Sequence, residues 1–231
     1  MTEALKPYRA ALTIAEELAT VDPDNALWQH DISESHLKLG DVQVAEGNLA
    51  DALKSYQQTL SIIERLARAN PDNASWQREL SILYNKIGDV LAKQLNAAEA
   101  LNSYQAGFPI AERLAKLNPS NTMLKRDLFV FCSKIGETSW MAGKAAEARE
   151  ALSAGRMVSA QIVAQHPDWP QGEKDLAWID TQIAALGGCS LPPDTRQPAA
   201  GSPSLDVKPS QHAVVPNRDG GLRGRIISVA S

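Results

Sequence analysis

Apolar residues recur along most of this chain at steps of three and four. From residue 76 they run Trp76, Leu80, Leu83, Tyr84, Ile87 and Leu91. That spacing puts them on one face of a helix. A second series follows: Ala97, Ala100, Leu101, Tyr104, Phe108, Ala111 and Leu114. The break between the two is Gln94-Leu95-Asn96, which suits a tight turn between antiparallel helices. The pattern predicts a helical hairpin, each arm about 20 residues or roughly 30 Å long.

The same pattern is written three times. Residues 22–69, 70–117 and 118–165 are units of 48 residues, and the first two agree at 23 positions. Chance agreement from ordinary residue frequencies is about three. Pro23, Pro71, Pro119 and Pro167 fall at one point of each period, where proline ends the preceding helix. The Asp and Asn residues beside them are good N-caps for the next helix. Gly40, Gly88 and Gly136 sit mid-helix. Glycine there costs about 1 kcal/mol against alanine, so its recurrence predicts close helix–helix approach. Ala52, Ala100 and Ala148 occupy a matching point in the second helix. A helical pair buries one face against itself and needs neighbours for the other, so stacking of identical pairs is the expected architecture.

The ends of the array predict two partial units. Residues 4–20 match the second helix of a unit at 52–68, and the corresponding first helix is not written before them. Residues 1–21 are therefore expected to be an orphan second helix with one apolar face uncovered. Residues 166–186 read as a lone first helix, a capping element of the stack. From residue 187 the composition turns to proline and glycine without apolar period, which predicts a disordered tail over 187–231. Pro109 falls inside the second helix of the second unit, just after Gly107, so a kink is expected there.

In the second unit Tyr84, Ile87, Gly88, Glu99, Ala100 and Tyr104 spell aromatic-x-x-aliphatic-Gly, then acidic-Ala, then aromatic. In the first unit His36, Leu39, Gly40, Asp51, Ala52 and Tyr56 repeat it. This pattern resembles the tetratricopeptide (TPR) family, whose usual unit is about 34 residues. The longer unit is similar to a variety found in bacterial multidomain proteins, where such arrays often follow a signalling or effector domain. The resemblance implies an all-α, right-handed α-solenoid of antiparallel helical hairpins. It implies a non-enzymatic scaffold whose first helices line a groove for an extended or helical partner segment. The alternative is a regulatory or oligomerising arm of a larger bacterial signalling or effector protein.

Composition narrows the partner. The net charge is −4, and a nucleic-acid binder needs a basic stripe to meet phosphates. No apolar run is long enough to cross a membrane, and the start, MTEALKPYRAAL, lacks the layout of a secretory signal. A protein or peptide partner, no nucleic acid, no membrane and a cytoplasmic setting follow. Cys132 and Cys189 stand far apart, so neither a disulfide framework nor a zinc knuckle is expected. Leu186-Gly187-Gly188-Cys189 has the form of a lipidation box but lies near the wrong end of the chain. The segment 220–225, GGLRGR, lacks a helix or strand to present its arginines. His30, His36, His166 and His212 form no ligand spacing, and no phosphate loop, nucleophile elbow or HExxH occurs. No catalytic, metal or cofactor site is expected.

Charge does recur. Lys38, Lys86 and Lys134 each stand three residues before Asp41, Asp89 and Glu137. Two readings fit. One is a solvated, self-neutralising face of i,i+3 pairs. The other is a polar track along the groove that the resemblance implies, flanked by Leu37, Val44, Asn85, Ala92, Ser133 and Trp140. Some TPR relatives clamp a peptide carboxylate with asparagine and lysine; this chain has acids at the asparagine's place. A basic or mixed-charge partner segment fits better. The uncovered N-terminal helix adds an expectation of self-association. Trp28 and Trp76 are read as packing residues, because Leu124 replaces them in the third unit.

Overall fold

The computed structural model describes residues 6–188. Eight helices follow one another: α1 (Lys6–Val21), α2 (Ala26–Ala45), α3 (Leu49–Ala69), α4 (Ala74–Lys93), α5 (Ala97–Leu117), α6 (Thr122–Met141), α7 (Ala145–Gln165) and α8 (Pro170–Gly188). No strand occurs among the described residues. The expected tail lies outside them, apart from Gly187 and Gly188, which end α8. Cys189 and the 220–225 segment lie outside as well.

The 48-residue period is visible in the helix starts. The A helices α2, α4, α6 and α8 begin at residues 26, 74, 122 and 170. The B helices α3, α5 and α7 begin at residues 49, 97 and 145. Each helix packs against the one before it and the one after it, so hairpins α2/α3, α4/α5 and α6/α7 stack in chain order. Among the described residues no helix precedes α1 and none follows α8. The described region is an all-α stack of helical hairpins.

Local chemistry sets the boundaries. Asn25, Asn73 and Asn121 cap α2, α4 and α6, each side-chain oxygen accepting from two backbone amides of the first turn. In the fourth period Trp169 replaces the asparagine, and Pro170 opens α8, where its missing N–H is no loss. The turns between A and B helices share one geometry. The amides of Asn48, Asn96 and Lys144 donate to the carbonyls of Gln43, Leu91 and Ser139, closing a Schellman motif. Its left-handed residue is Gly47 (φ 79°), Leu95 (φ 62°) or Gly143 (φ 75°). Helix α5 runs through Pro109 without interruption.

The core runs along the stack between A and B helices. Ala52, Ala100 and Ala148 are wholly buried. The mid-helix glycines do bring helices together: a Cβ on Gly40 would lie 2.5 Å from the Tyr56 ring, and one on Gly136 as close to Leu152. Gly107 serves an inter-unit contact instead, with Phe131 of α6 filling the space a side chain would need. Trp28 and Trp76 pack as half-buried flanks of two apolar clusters.

Candidate functional site

The lysines of the A helices form no salt bridge with the acids three residues further on in their own helix. Lys86 Nζ reaches back to Asp41 Oδ1 of the preceding unit at 2.7 Å, and Lys134 Nζ reaches Asp89 Oδ1 at 3.0 Å. The same carboxylates accept from tyrosine hydroxyls, Tyr56 to Asp41 at 2.6 Å and Tyr104 to Asp89 at 2.8 Å. Lys86 also stands 5.7 Å from the centre of the Tyr56 ring, within cation–π range. Burial and the neighbouring carboxylates push the Tyr56 and Tyr104 hydroxyls far above their ordinary titration range, so they stay donors. Each tyrosine therefore lays its ring on the glycine of its hairpin and its hydroxyl on the acid after it. The lysine of the next unit closes the triad.

A second ladder crosses the same junctions. His30 meets Glu79 at 2.9 Å, Arg78 meets Asp127 at 2.6 Å and Arg126 meets Asp175 at 3.1 Å. In each pair a base in one unit faces an acid 49 residues later. Each junction thus has a repeating electrostatic form: an A helix offers a base and, eleven residues on, an acid, and the next A helix answers with an acid and a lysine. The third junction keeps only half of it. Leu152 stands where Tyr104 would, and Gln182 where the next lysine would. Glu137 is left half-buried there, and burial raises its carboxyl pKa, with Lys134 opposing and Asp89 adding to the shift.

The expected site residues are spread along the A-helix face. Leu37 lines a cleft of about 240 Å³ between α2 and α4, floored by Thr59 and Ile63 of α3 and edged by Glu34 and Glu79. Asn85 is half-buried, and its side-chain oxygen has no hydrogen-bond partner. Ser133 is buried and donates to the carbonyl of Phe129. Glu137 and Trp140 border a separate cleft of about 370 Å³ with Leu152, Gln182 and Leu186. Asp41, Lys86, Asp89 and Lys134 hold the unit junctions. Lys38 borders an open groove of about 430 Å³ between α1 and α2.

The inter-unit pairs were readable only as an offset. Acids at 79, 127 and 175 recur with the units, as do bases at 30, 78 and 126. Their contact depends on which faces of neighbouring A helices meet, which the period does not specify. Other titratable groups are packed away. Burial pushes the Cys132 thiol up to about 12, which keeps it protonated and inert. His36 takes the place of Tyr84, whose hydroxyl donates to Glu64 at 2.6 Å. Burial lowers the His36 pKa, and Glu16 opposes the shift. Among the described residues no group of three or more His, Cys, Asp and Glu could hold a metal ion, and no helix is long and apolar enough to cross a membrane.

No protein-family model matches the chain, and no curated protein matches it in sequence. Several solved structures are similar to it. MamA is 15% identical, with 78% of this chain and 81% of that chain covered and a TM-score of 0.36. BtubC from P. vanneervenii is 11% identical over 87% of this chain and 98% of its own, with a TM-score of 0.37. The de novo designed helical repeat protein DHR64 is 14% identical over 80% and 95%, with a TM-score of 0.36.

Proposed function

We propose that this chain is a non-enzymatic protein-interaction scaffold, a TPR-like array of the long-unit variety, taking a partner segment along its A-helix face. The observation that carries this reading is the cleft between α2 and α4. Its walls are apolar (Leu37, Ile82, Leu83), and the carboxylates of Glu34 and Glu79 stand at its edge. Glu34 is exposed and has no ion pair among the described residues. An apolar anchor flanked by basic groups fits such a site, because the anchor supplies burial and the charges orient it. Asn85, Glu137 and Trp140 continue the face toward α8, while the ladder of Asp41, Lys86, Asp89 and Lys134 joins one A helix to the next. A preformed face lowers the ordering cost of binding.

The test is selection from a displayed peptide library, followed by affinity measurement against Glu34→Lys. Selected segments carrying lysine or arginine beside an apolar residue, and weakened about tenfold by that reversal, are expected. Binders indifferent to charge at Glu34 and to Leu37→Asp would place recognition elsewhere. A second reading, an oligomerising or regulatory arm of a larger signalling or effector protein, is favoured by one observation: Ile14, Leu18 and Val21 of α1 are exposed.

A further inference from the structure

Among the described residues the groove between α1 and α2 has two of the three walls of the inter-unit cleft. Its lining residues Ala11, Ala15, Asp31, Glu34 and Ser35 stand 48 positions before Thr59, Ile63, Glu79, Ile82 and Leu83, which line the cleft between α2 and α4. In that cleft α2 supplies the third wall. At the groove no helix among the described residues does, and burial records the difference. Leu18 is 42% exposed, whereas Leu66 and Leu114, at the same position of α3 and α5, are 5% and 3% exposed.

The polar residues of the groove carry half of the junction's electrostatic form. Tyr8 and Lys38 stand where Tyr56 and Lys86 stand around Asp41. Asp31 stands where Glu79 meets His30 and Asp127 meets Arg78. Among the described residues the side chains of Tyr8, Asp31 and Lys38 have no hydrogen bond or ion pair. The two charges lie seven residues apart, two turns of α2, and answer no one.

We propose that this groove docks an α-helix of a partner protein that carries a basic residue and, eleven positions later, an acidic residue directly preceded by glycine. The acid meets Lys38 and Tyr8, the base meets Asp31, and the glycine admits the Tyr8 ring as Gly40 admits Tyr56. The apolar face of the helix covers Leu18 and Ile14. The proposal does not rest on what binds the A-helix cleft, with which the groove shares only Glu34.

A second copy of this chain fits less well. Its only unpaired A helix, among the described residues, is α8. That helix offers Lys174 at the basic position but Ala184 and Ala185 in place of the glycine and the acid. A copy would leave Lys38 unanswered and press a methyl group into the tyrosine ring.

The chain contains its own probe. A hydrocarbon-stapled peptide of residues 74–93 carries Arg78, Gly88 and Asp89 at the required spacing. Fluorescence anisotropy of that peptide with the full chain is expected to show saturable binding. Asp89→Lys in the peptide weakens it about tenfold, as loss of an interfacial charge pair does. Lys38→Asp in the chain restores binding of the reversed peptide and weakens the original. Tyr8→Phe, which removes only a hydroxyl, weakens the original peptide by a smaller factor. Absence of binding, or binding blind to both reversals while circular dichroism shows intact helices, overturns the proposal. So does assembly of the chain alone into oligomers that Lys174→Glu dissolves, because copies then occupy the groove.

Discussion

Lys86 lies 2.7 Å from Asp41, a residue of the unit before its own. Asp89 stands one helical turn further along α4, and its lysine is Lys134 of the unit after. A charge pattern that looks local is therefore the joint between hairpins. Both partners of the first pair are about one-third exposed, so solvent screens them and their separate contribution is modest. A double-mutant cycle with Asp41→Asn and Lys86→Met should give a coupling of about 0.5–1 kcal/mol. It should shrink at about 1 M salt. Lys38→Met should leave the melting temperature unchanged. Equal effects of Lys38→Met and Lys86→Met would sink the assignment.

The tyrosine–glycine contact has a sharper consequence. Alanine is a better helix former than glycine by about 1 kcal/mol. At Gly40 its methyl group would meet the Tyr56 ring at 2.5 Å. Overpacking of this kind costs about 1–3 kcal/mol. Gly40→Ala should therefore destabilise in chemical denaturation, and Gly136→Ala should do so as well, since its methyl group would lie as close to Leu152.

Leu95 holds φ 62° while 92% exposed. A left-handed conformation costs a non-glycine residue about 1–2 kcal/mol, and glycine occupies the equivalent turns at Gly47 and Gly143. Leu95→Gly should raise the melting temperature, with a net gain of about 0.5–1 kcal/mol after the greater unfolded-state entropy of glycine. Glycine substitution that lowers stability would contradict the turn geometry.

Glu137 and His36 set opposite pH dependences. The folded-state carboxyl of Glu137 titrates above its unfolded value because of burial, so the folded chain binds more protons and this residue's contribution worsens as pH rises through that range. Glu137→Gln should stabilise at neutral pH, and the gain should fade as the pH drops below the carboxyl's unfolded pKa.

His36 titrates below its unfolded value, again through burial. Its contribution is present above about pH 6.5 and lost as pH falls through the folded pKa. His36→Tyr, which copies the Tyr84–Glu64 contact onto Glu16, should flatten thermal stability between about pH 7 and 5. An unchanged pH profile would mean that His36 is solvated in the folded chain.

Much of the fold was legible in the residues. The period of three and four predicted helices, the 48-residue recurrence predicted stacked hairpins, and proline with asparagine marked where each begins. Gly40, Gly88 and Gly136 foretold close approach, because their intrinsic cost had to be offset by packing. The role of each charge was less legible. Lys86 has a carboxylate at i+3 in the sequence, and side-chain spacing alone makes that the nearest partner.

The chain's own pattern determined which residues form helices, where they stop and that each hairpin needs neighbours, since these follow from local propensity and burial of a periodic apolar face. Only the tertiary structure decided which charges meet and which remain unanswered. The rotation and offset of one A helix on the next bring Asp41 to Lys86, leave Glu137 with a glutamine across from it, and expose Lys38, Asp31 and Tyr8 along an open groove. Those quantities are set by how side chains of different hairpins interlock, and no stretch of one unit encodes them alone.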